Sequence, residues 1–553
     1  MVNRTRNMLL ADLKAIQHLA TLTTARINDL SITAWLPVEV LMHIFSTLTE
    51  CDPPSSKSLK DSKSGKKPHL GWINATHVCR RWRQVALSVP ALWTNVRALQ
   101  TGPWMNEMLA RSKLVPFTLS VCIAGDPEAC GIVLKAVGPE YISHMKGLHL
   151  FGKGHKSDGS LYEYGTEVLA NLKHPAPMLE SLVLNNVTGS AVLRRDIFAC
   201  EVPRLRRVAI RKCEGIHWDA PYLRNLTDLD LSFDQNCQTA ELLALLKESP
   251  MLETLKIAWR KPRAPRTDLP NEKVSLPSLK QFCLDCRADA QCAEFLACLI
   301  TPSTAQRTFK FYSPDAVQSH RIISLATGFV DATGVASRPS PSQVQINYDK
   351  GPRHSQLKLS LVLESEEKHP CLSLLWGTSS SALPAHDIAA VQQLLGSFDA
   401  RRLTFVAVVS EGIDAALRSV FKDAFSRLPA VSKVALRGRG VGPLLSLLEA
   451  TCPLPPDAEI ADVDESTWPS SFLFPRLRAL QVTNGLDETT SNGPGAGPSL
   501  GSLLLSVVQK REALGEPIHT LGGVLCEGRD PLLRRLQAHV EVMYCERCQT
   551  IFD

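Results

Sequence analysis

From His144 onward the chain keeps returning to one phrase: proline, one residue, leucine, two residues, then alternating apolar positions. The phrase stands at Pro177–Val187, Pro203–Cys213, Pro250–Trp259 and Leu276–Cys286, and in looser form at His144–Gly152 and Tyr222–Phe233. The equivalent apolar positions Leu182, Val208, Leu229, Leu255 and Phe282 lie 26, 21, 26 and 27 residues apart. Alternation of apolar and polar residues predicts half-buried strands. A recurrence at this period predicts units that cannot bury their apolar faces alone and must stack on their neighbours. Glu241–Ser249 and Cys292–Ile300, each apolar on one side, predict helices between strands. Regular spacing argues against the alternative, an ordinary α/β sandwich.

The later units are looser: Arg402–Val409, Val431–Gly438 and Pro475–Val482, with helices expected around Ile388–Phe398 and Leu444–Ala450. The pattern is faint through Phe309–Glu364. A period of about 20–29 residues with one strand per unit resembles the leucine-rich repeat, in an irregular form because the asparagine of the strict signature is mostly absent. That resemblance implies an α/β solenoid with a parallel sheet lining its concave side, a surface suited to a protein partner.

A chain of 553 residues has room for about three to five ordinary domains, or for one array plus a small module. With 44% hydrophobic and 21% charged residues, global disorder and collagen-like structure are excluded. The net charge of +6 is too small over this length for a general nucleic-acid or anionic-membrane binder, so neither partner is expected. No run of 18 apolar residues occurs, so no membrane span is expected. The N-terminus lacks the apolar core of a signal peptide. The 16 cysteines are therefore read as reduced thiols of a cytoplasmic or nuclear protein. The first 28 residues, with four Lys/Arg and only Asp12 as acid, also loosely fit a transit peptide.

The N-terminal segment predicts a helix. Leu9, Leu13, Ile16, Ala20, Thr23, Ile27 and Leu30 alternate four and three apart, one seam of a heptad pattern. The expected role is packing on the next domain, with a short dimerising coiled coil as the alternative. Residues 53–68 hold five lysines and no aromatic, so they are expected to form a disordered loop, with a nuclear-localisation patch as the second reading. Asp487–Ser499, Lys261–Asp268 and Ser337–Ser342 read as Gly-, Ser- or Pro-punctuated loops.

Two apolar helical pieces flank the lysine loop. Leu36–Leu48 has Pro37 in the first turn and a broad face of Val40, Leu41, Ile44, Phe45 and Leu48. Trp72–Val89 carries Val78, Trp82 and Val85 on one face, and Leu92 and Trp93 follow Pro90. So small a core rarely closes alone. Leu36, Phe45, Trp82 and Trp93 are read as exposed anchors that a partner covers.

Leu36–Pro37, Glu39, Leu41 and Ile44–Phe45, followed by Val78–Cys79–Arg80, Trp82 and Leu92–Trp93, resemble the F-box. The lysine insert, the phrase from Gly71 to Cys79 and the leading heptad helix are similar to F-box-like proteins of mushroom-forming fungi. The resemblance spans about residues 8–96. It implies docking on a Skp-type adaptor within a cullin–RING ubiquitin ligase. By that resemblance, the adaptor-binding residues are Leu36, Pro37, Val40, Leu41, Ile44, Phe45, Leu48, Val78, Cys79, Trp82, Leu92 and Trp93. For Leu41, Ile44 and Val85 a place in the domain's own core is an equal reading.

Other motifs read as structural. Cys283, Cys286, Cys292 and Cys298 offer one zinc-like half-site, but the last two lie six apart on a helix, about 600° of rotation. They are expected to be packed thiols. Cys545 and Cys548 form a lone pair with no second half-site. Gly438, Gly440 and Gly442 misplace the third glycine of a dinucleotide loop and suit a repeat turn. Arg80, Arg81 and Arg83 read as a solvated helix face. No assembled catalytic set is visible.

The expected fold is a small all-α F-box followed by an α/β leucine-rich-repeat-like solenoid. The expected division is a helix over 1–33, an F-box over 34–96 with an insert at 51–70, and a connector over 97–140. An array over 141–525 follows, with a flexible loop at 484–500, and then a tail or cap over 526–553. The expected function is a non-enzymatic substrate-recognition subunit without cofactor or metal, joining a Skp-type adaptor and cullin ligase to an unknown protein substrate. The alternative is a non-ligase F-box scaffold.

Overall fold

The computed structural model describes residues 2–552 apart from 55–69, 98–101, 124–126, 153–163, 188–192, 214, 234–238, 260–272, 288, 303, 313–315, 328, 331–335, 338–341, 351–354, 363–369, 379–387, 390–391, 394–401, 411–412, 414, 439–440, 453–471, 484–499, 524–534 and 545–550. The lysine-rich stretch, Lys261–Asp268, Asp487–Ser499, most of Ser337–Ser342 and the pair Cys545 and Cys548 lie outside the described residues. The chain divides into two compact units, Met1–Phe233 and Asp234–Asp553.

The first unit begins with helices: α1 (Val2–Asp29), α2 (Val38–Cys51) and α3 (Arg80–Ser88), with 3-10 turns at Ile32–Trp35, Gly71–His77 and Pro90–Trp93. It continues as β1 (Asn95–Arg97), α4 (Gly102–Ser112), β2 (Phe117–Cys122), α5 (Pro127–Ala136), α6 (Pro139–Ile142), β3 (Met145–Phe151), α7 (Tyr164–Ala170), β4 (Ser181–Asn185), β5 (Arg207–Arg211) and β6 (Asp228–Phe233). The six strands pair in chain order, each parallel to the next.

Register follows the sequence pattern. Leu119, Leu148, Leu182, Val208 and Leu229 form one row across five strands. Val121, Leu150, Leu184, Ile210 and Leu231 form the next. Every member of both rows is buried, each contributing roughly 1.5–3 kcal/mol of transfer free energy. The equivalence of Leu182, Val208 and Leu229 expected from their spacing is the register found. The stretch expected to be a connector, 97–140, differs: it supplies the last residue of β1, all of α4, β2 and α5, and the start of α6. Phe117, Leu119 and Val121 point inward from β2, which lacks the proline–leucine phrase of the later strands.

The second unit contains α8 (Thr239–Lys247), β7 (Thr254–Trp259), β8 (Val274–Ser275), β9 (Gln281–Arg287), α9 (Ala290–Cys298), β10 (Leu299–Ile300), β11 (Gln306–Tyr312), α10 (Ala316–Thr327), β12 (Phe329–Val330), β13 (Ala336–Ser337), β14 (Gln343–Lys350), β15 (Ser355–Val362) and β16 (Pro370–Thr378). After them come β17 (Phe405–Ser410), α11 (Ala415–Phe425), β18 (Lys433–Arg437), α12 (Val441–Thr451), β19 (Ala479–Thr483), α13 (Leu500–Ala513), β20 (Thr520–Gly522), β21 (Val542–Tyr544) and β22 (Ile551–Phe552). Leu255 pairs with Phe282 across β7 and β9, again the expected equivalence. Val406, Val434, Leu480 and Leu521 form a later row.

The faint stretch Phe309–Glu364 is where chain order breaks. β14, β15 and β16 form an antiparallel meander. Its last strand returns beside β11 and its first lies beside β17, both parallel. A three-stranded meander has outer strands running the same way, so it can insert between parallel neighbours while only β15 runs against them. At the C-terminus β21 continues the parallel order beside β20, and β22 closes on β21 antiparallel. No helix among the described residues is long and apolar enough to cross a membrane.

Candidate functional site

The small helical region at 34–97 closes around aromatic side chains. α2 turns Leu41 and Phe45, one helical turn apart, inward. Its first turn is set by Pro37, whose carbonyl accepts from the Leu41 N–H at 3.2 Å. Phe45 meets Trp82 edge to face at 5.4 Å, and Trp72 meets Trp93 edge to face at 4.9 Å. The Trp93 indole Nε1 donates to the Ala86 carbonyl at 2.9 Å. From α4 the Arg111 guanidinium lies 4.3 Å over the same indole. The helical region and the first helix of the α/β array therefore share one interior.

The two halves separated by the lysine insert are joined at its base. The Trp72 N–H donates to the Asp52 carbonyl at 2.8 Å. Gly71 has φ 57°, and a Cβ there would stand 2.3 Å from the Asp52 oxygen. Only glycine fits this left-handed crossing. Gly71→Ala is expected to cost about 2 kcal/mol or more. It would appear as a lowered urea midpoint of the first unit, and an unchanged midpoint would refute the crossing.

The sequence-expected adaptor residues divide by burial. Leu41, Phe45, Leu92 and Trp93 are interior, at 0–2% exposure. The reading of Phe45 and Trp93 as exposed anchors is corrected: their ring partners and the Trp93 hydrogen bond come from the domain itself. Leu36, Ile44, Leu48, Cys79 and Trp82 are half-buried, and Pro37, Val40 and Val78 are exposed. Pro37, Val40 and Ile44 recur three and four residues apart, one flank of α2 beside its buried face.

Trp35 and Ile32 were not among the expected contacts, yet they are 80% and 89% exposed. Ile32 and Trp35 stand three apart in one 3-10 turn, on the same side of it, so they offer an apolar patch and not a scattered side chain. The signal in the sequence was an aromatic side chain directly before Leu36–Pro37. Its placement depends on Arg81, whose guanidinium donates to the Ala34 and Leu36 carbonyls. Arg81 therefore ties α3 to the 34–36 segment instead of standing on a solvated face; Arg80 and Arg83 are exposed as expected. Pro37, Val40 and Ile44 make an apolar flank along α2, and Trp35 and Val78 are exposed apolar side chains on either side of it in sequence. A tryptophan that becomes covered by a partner is a typical hot spot.

α1 departs from its expected packing. Its seam residues are exposed along the helix, because the domain's interior is already filled by Leu41, Phe45, Trp72, Val85, Leu92 and Trp93.

The remaining motifs resolve structurally. Cys283 and Cys286 stand on opposite faces of β9, so they cannot ligate one ion. Cys286 and Cys292 meet at 3.2 Å in the interior. Burial, first of all, with Cys292 alongside, pushes the Cys286 thiol well above its ordinary range. Gly438 closes the turn after β18 with φ 94°, and a Cβ would stand 2.4 Å from the Ser410 carbonyl oxygen. Close packing against the neighbouring strand explains this glycine without a nucleotide. On the outward face of the first unit's sheet, Asp230 accepts from the Arg211 Nε at 3.1 Å. That hydrogen bond, with the attraction between the charges, holds the guanidinium above its usual value.

Residues 34–98 match the F-box-like family model. The chain thus carries an F-box-like domain, and the match covers that region alone. A search of curated proteins finds no match to the chain.

Proposed function

We propose that the chain is a substrate-recognition subunit of a Skp–cullin–F-box ubiquitin ligase. The observation that carries the reading is the set of exposed apolar side chains on the F-box-like domain, Trp35, Pro37, Val40 and Val78, with half-buried Ile44 on the α2 flank of Pro37 and Val40. In this reading these side chains dock a Skp-type adaptor. The stacked parallel strands, read as irregular leucine-rich repeats, hold the target. The chain supplies proximity, raising the local concentration of target beside the ligase's catalytic subunits, and performs no chemistry itself. The lysine insert and the leading helix support the F-box-like type of mushroom-forming fungi.

The test is titration of purified Skp-type adaptor into the full chain, comparing wild type with Val40→Asp and Trp35→Ala. Both side chains are exposed, so circular dichroism should be unchanged. Wild type is expected to bind, and each variant to lose about 2 kcal/mol or more, at least roughly thirtyfold in affinity. A folded wild type that ignores the adaptor, or variants that bind like wild type, would overturn the reading. Adaptor binding without recruitment of cullin would favour the scaffold alternative.

A further inference from the structure

We infer that α1 pairs antiparallel with the same helix of a second copy of this chain. α1 runs 28 residues, about 42 Å. Along it Leu9, Ile16 and Ile27, and Leu30 directly after its end, are 62–82% exposed. Leu13 on the same seam and Leu10 and Leu19 beside it are exposed as well. The helix does little to hold itself. The hydroxyls of Thr21, Thr23 and Thr24 donate back to the carbonyls of Gln17, Leu19 and Ala20, a pattern neutral to unfavourable for helix. A helix in water draws most of its stability from burying its apolar face. α1 therefore needs a cover.

The seam selects the cover. In heptad terms Leu9, Ile16, Thr23 and Leu30 occupy one core position, and Arg6, Leu13, Ala20 and Ile27 the other. A parallel pair sets like on like: Ala20 on Ala20, Thr23 on Thr23 and Arg6 on Arg6. That leaves two adjacent layers underfilled and opposes two cations. An antiparallel pair with Leu9 opposite Ile27 of the second copy sets large on small. Leu13 then faces Thr23, and Ile16 faces Ala20.

The same register brings Asp12 beside Arg26 of the second copy. Two-fold symmetry repeats the pair at the other end, and Gln17 meets Gln17 near the axis. Parallel pairing would instead put Asp12 beside Gln17. Burying the seven apolar side chains Leu9, Leu10, Leu13, Ile16, Leu19, Ile27 and Leu30, at about 80 Å² each, removes on the order of 1,100 Å² from water across both copies. That reaches the roughly 1,000 Å² a specific interface needs.

The test is sedimentation velocity of the full chain at tens of micromolar. Wild type is expected at the mass of two chains. Leu13→Asp combined with Ile16→Asp is expected at the mass of one, with the β-sheet circular dichroism unchanged because both positions are exposed. Asp12→Arg alone is expected to weaken association about tenfold by placing arginine against Arg26 twice. Asp12→Arg with Arg26→Asp restores it, an exchange that a parallel pair would not read. A monomeric wild type, including one whose α1 variants lose only adaptor binding, overturns the inference. So does a dimer indifferent to the paired aspartates, or a double exchange that fails to restore association.

Discussion

Trp93→Ala is expected to cost the first unit about 4 kcal/mol or more, a large share of the roughly 5–15 kcal/mol that holds an ordinary domain. The indole is fully buried, between the Trp72 ring at 4.9 Å and the Arg111 guanidinium at 4.3 Å. Truncating a buried tryptophan costs about 3–5 kcal/mol for the cavity and lost transfer alone. The aromatic pair adds roughly 0.5–1.5 kcal/mol. The Ala86 carbonyl near the end of α3 would also lose its donor, and the last carbonyls of a helix have no partner within the helix. These contributions are coupled and do not sum. Urea unfolding of the full chain, followed by far-ultraviolet circular dichroism, should show the first unit's transition moved to much lower denaturant. Trp93→Phe should recover about half of the loss, since it keeps a ring but not the N–H. A loss below about 1 kcal/mol would show that the helical region and the α/β array do not share this interior.

The same residue shows what the sequence could reveal of the site. The two separated motifs, Leu36–Pro37 with Ile44–Phe45 and Val78–Cys79 with Trp82, were enough to locate the domain. They could not separate residues that close it from residues that it displays. Phe45 and Trp93 belong to the first kind, and Val40 and Val78 to the second. That division is set by which rings meet, Phe45 with Trp82 across the insert and Trp72 with Trp93 after it, contacts that no short-range periodicity encodes. Trp35 was illegible for a related reason. Its exposure follows from Arg81 reaching back to the Ala34 and Leu36 carbonyls, a link with no periodicity.

In the array, legibility tracked repetition. Leu182, Val208 and Leu229 could be aligned because parallel strands in chain order demand the same apolar positions from each unit. β2 meets that demand with Phe117, Leu119 and Val121 but without the recurring phrase, so it read as a connector. The β14–β16 meander obeys a different rule. Its strands pair antiparallel with immediate neighbours in sequence, and no period of about 26 residues applies to it.

Arg511 gives the second large effect. It lies in α13 at 1% exposure, and no carboxylate salt bridge reaches it among the described residues. Its guanidinium donates instead to three carbonyls of one turn: Leu473 at 3.4 Å, Phe474 at 2.8 Å and Pro475 at 3.1 Å. It also lies 4.9 Å over the Phe472 ring. Burial lowers its pKa, the mark of a cation held away from water. The turn it holds carries Phe474 at φ 51° and leads into β19, so the side chain fixes a strained bend at the entrance to a central strand.

Arg511→Met preserves length and apolar contact but leaves the carbonyls unmet, at about 1–3 kcal/mol for each that water cannot reach. A loss of about 3–5 kcal/mol in the second unit is expected. Arg511→Lys should fall between, because an ammonium cannot span the carbonyls as the planar fork does. Hydrogen exchange resolves where the loss falls: protection at Leu480 and Leu521, paired across β19 and β20, should drop before that at Val406 and Val434. If Arg511→Met matched wild type, the bend would be held by the packing of Phe472 and Phe474 alone, and the buried charge would stabilise nothing there.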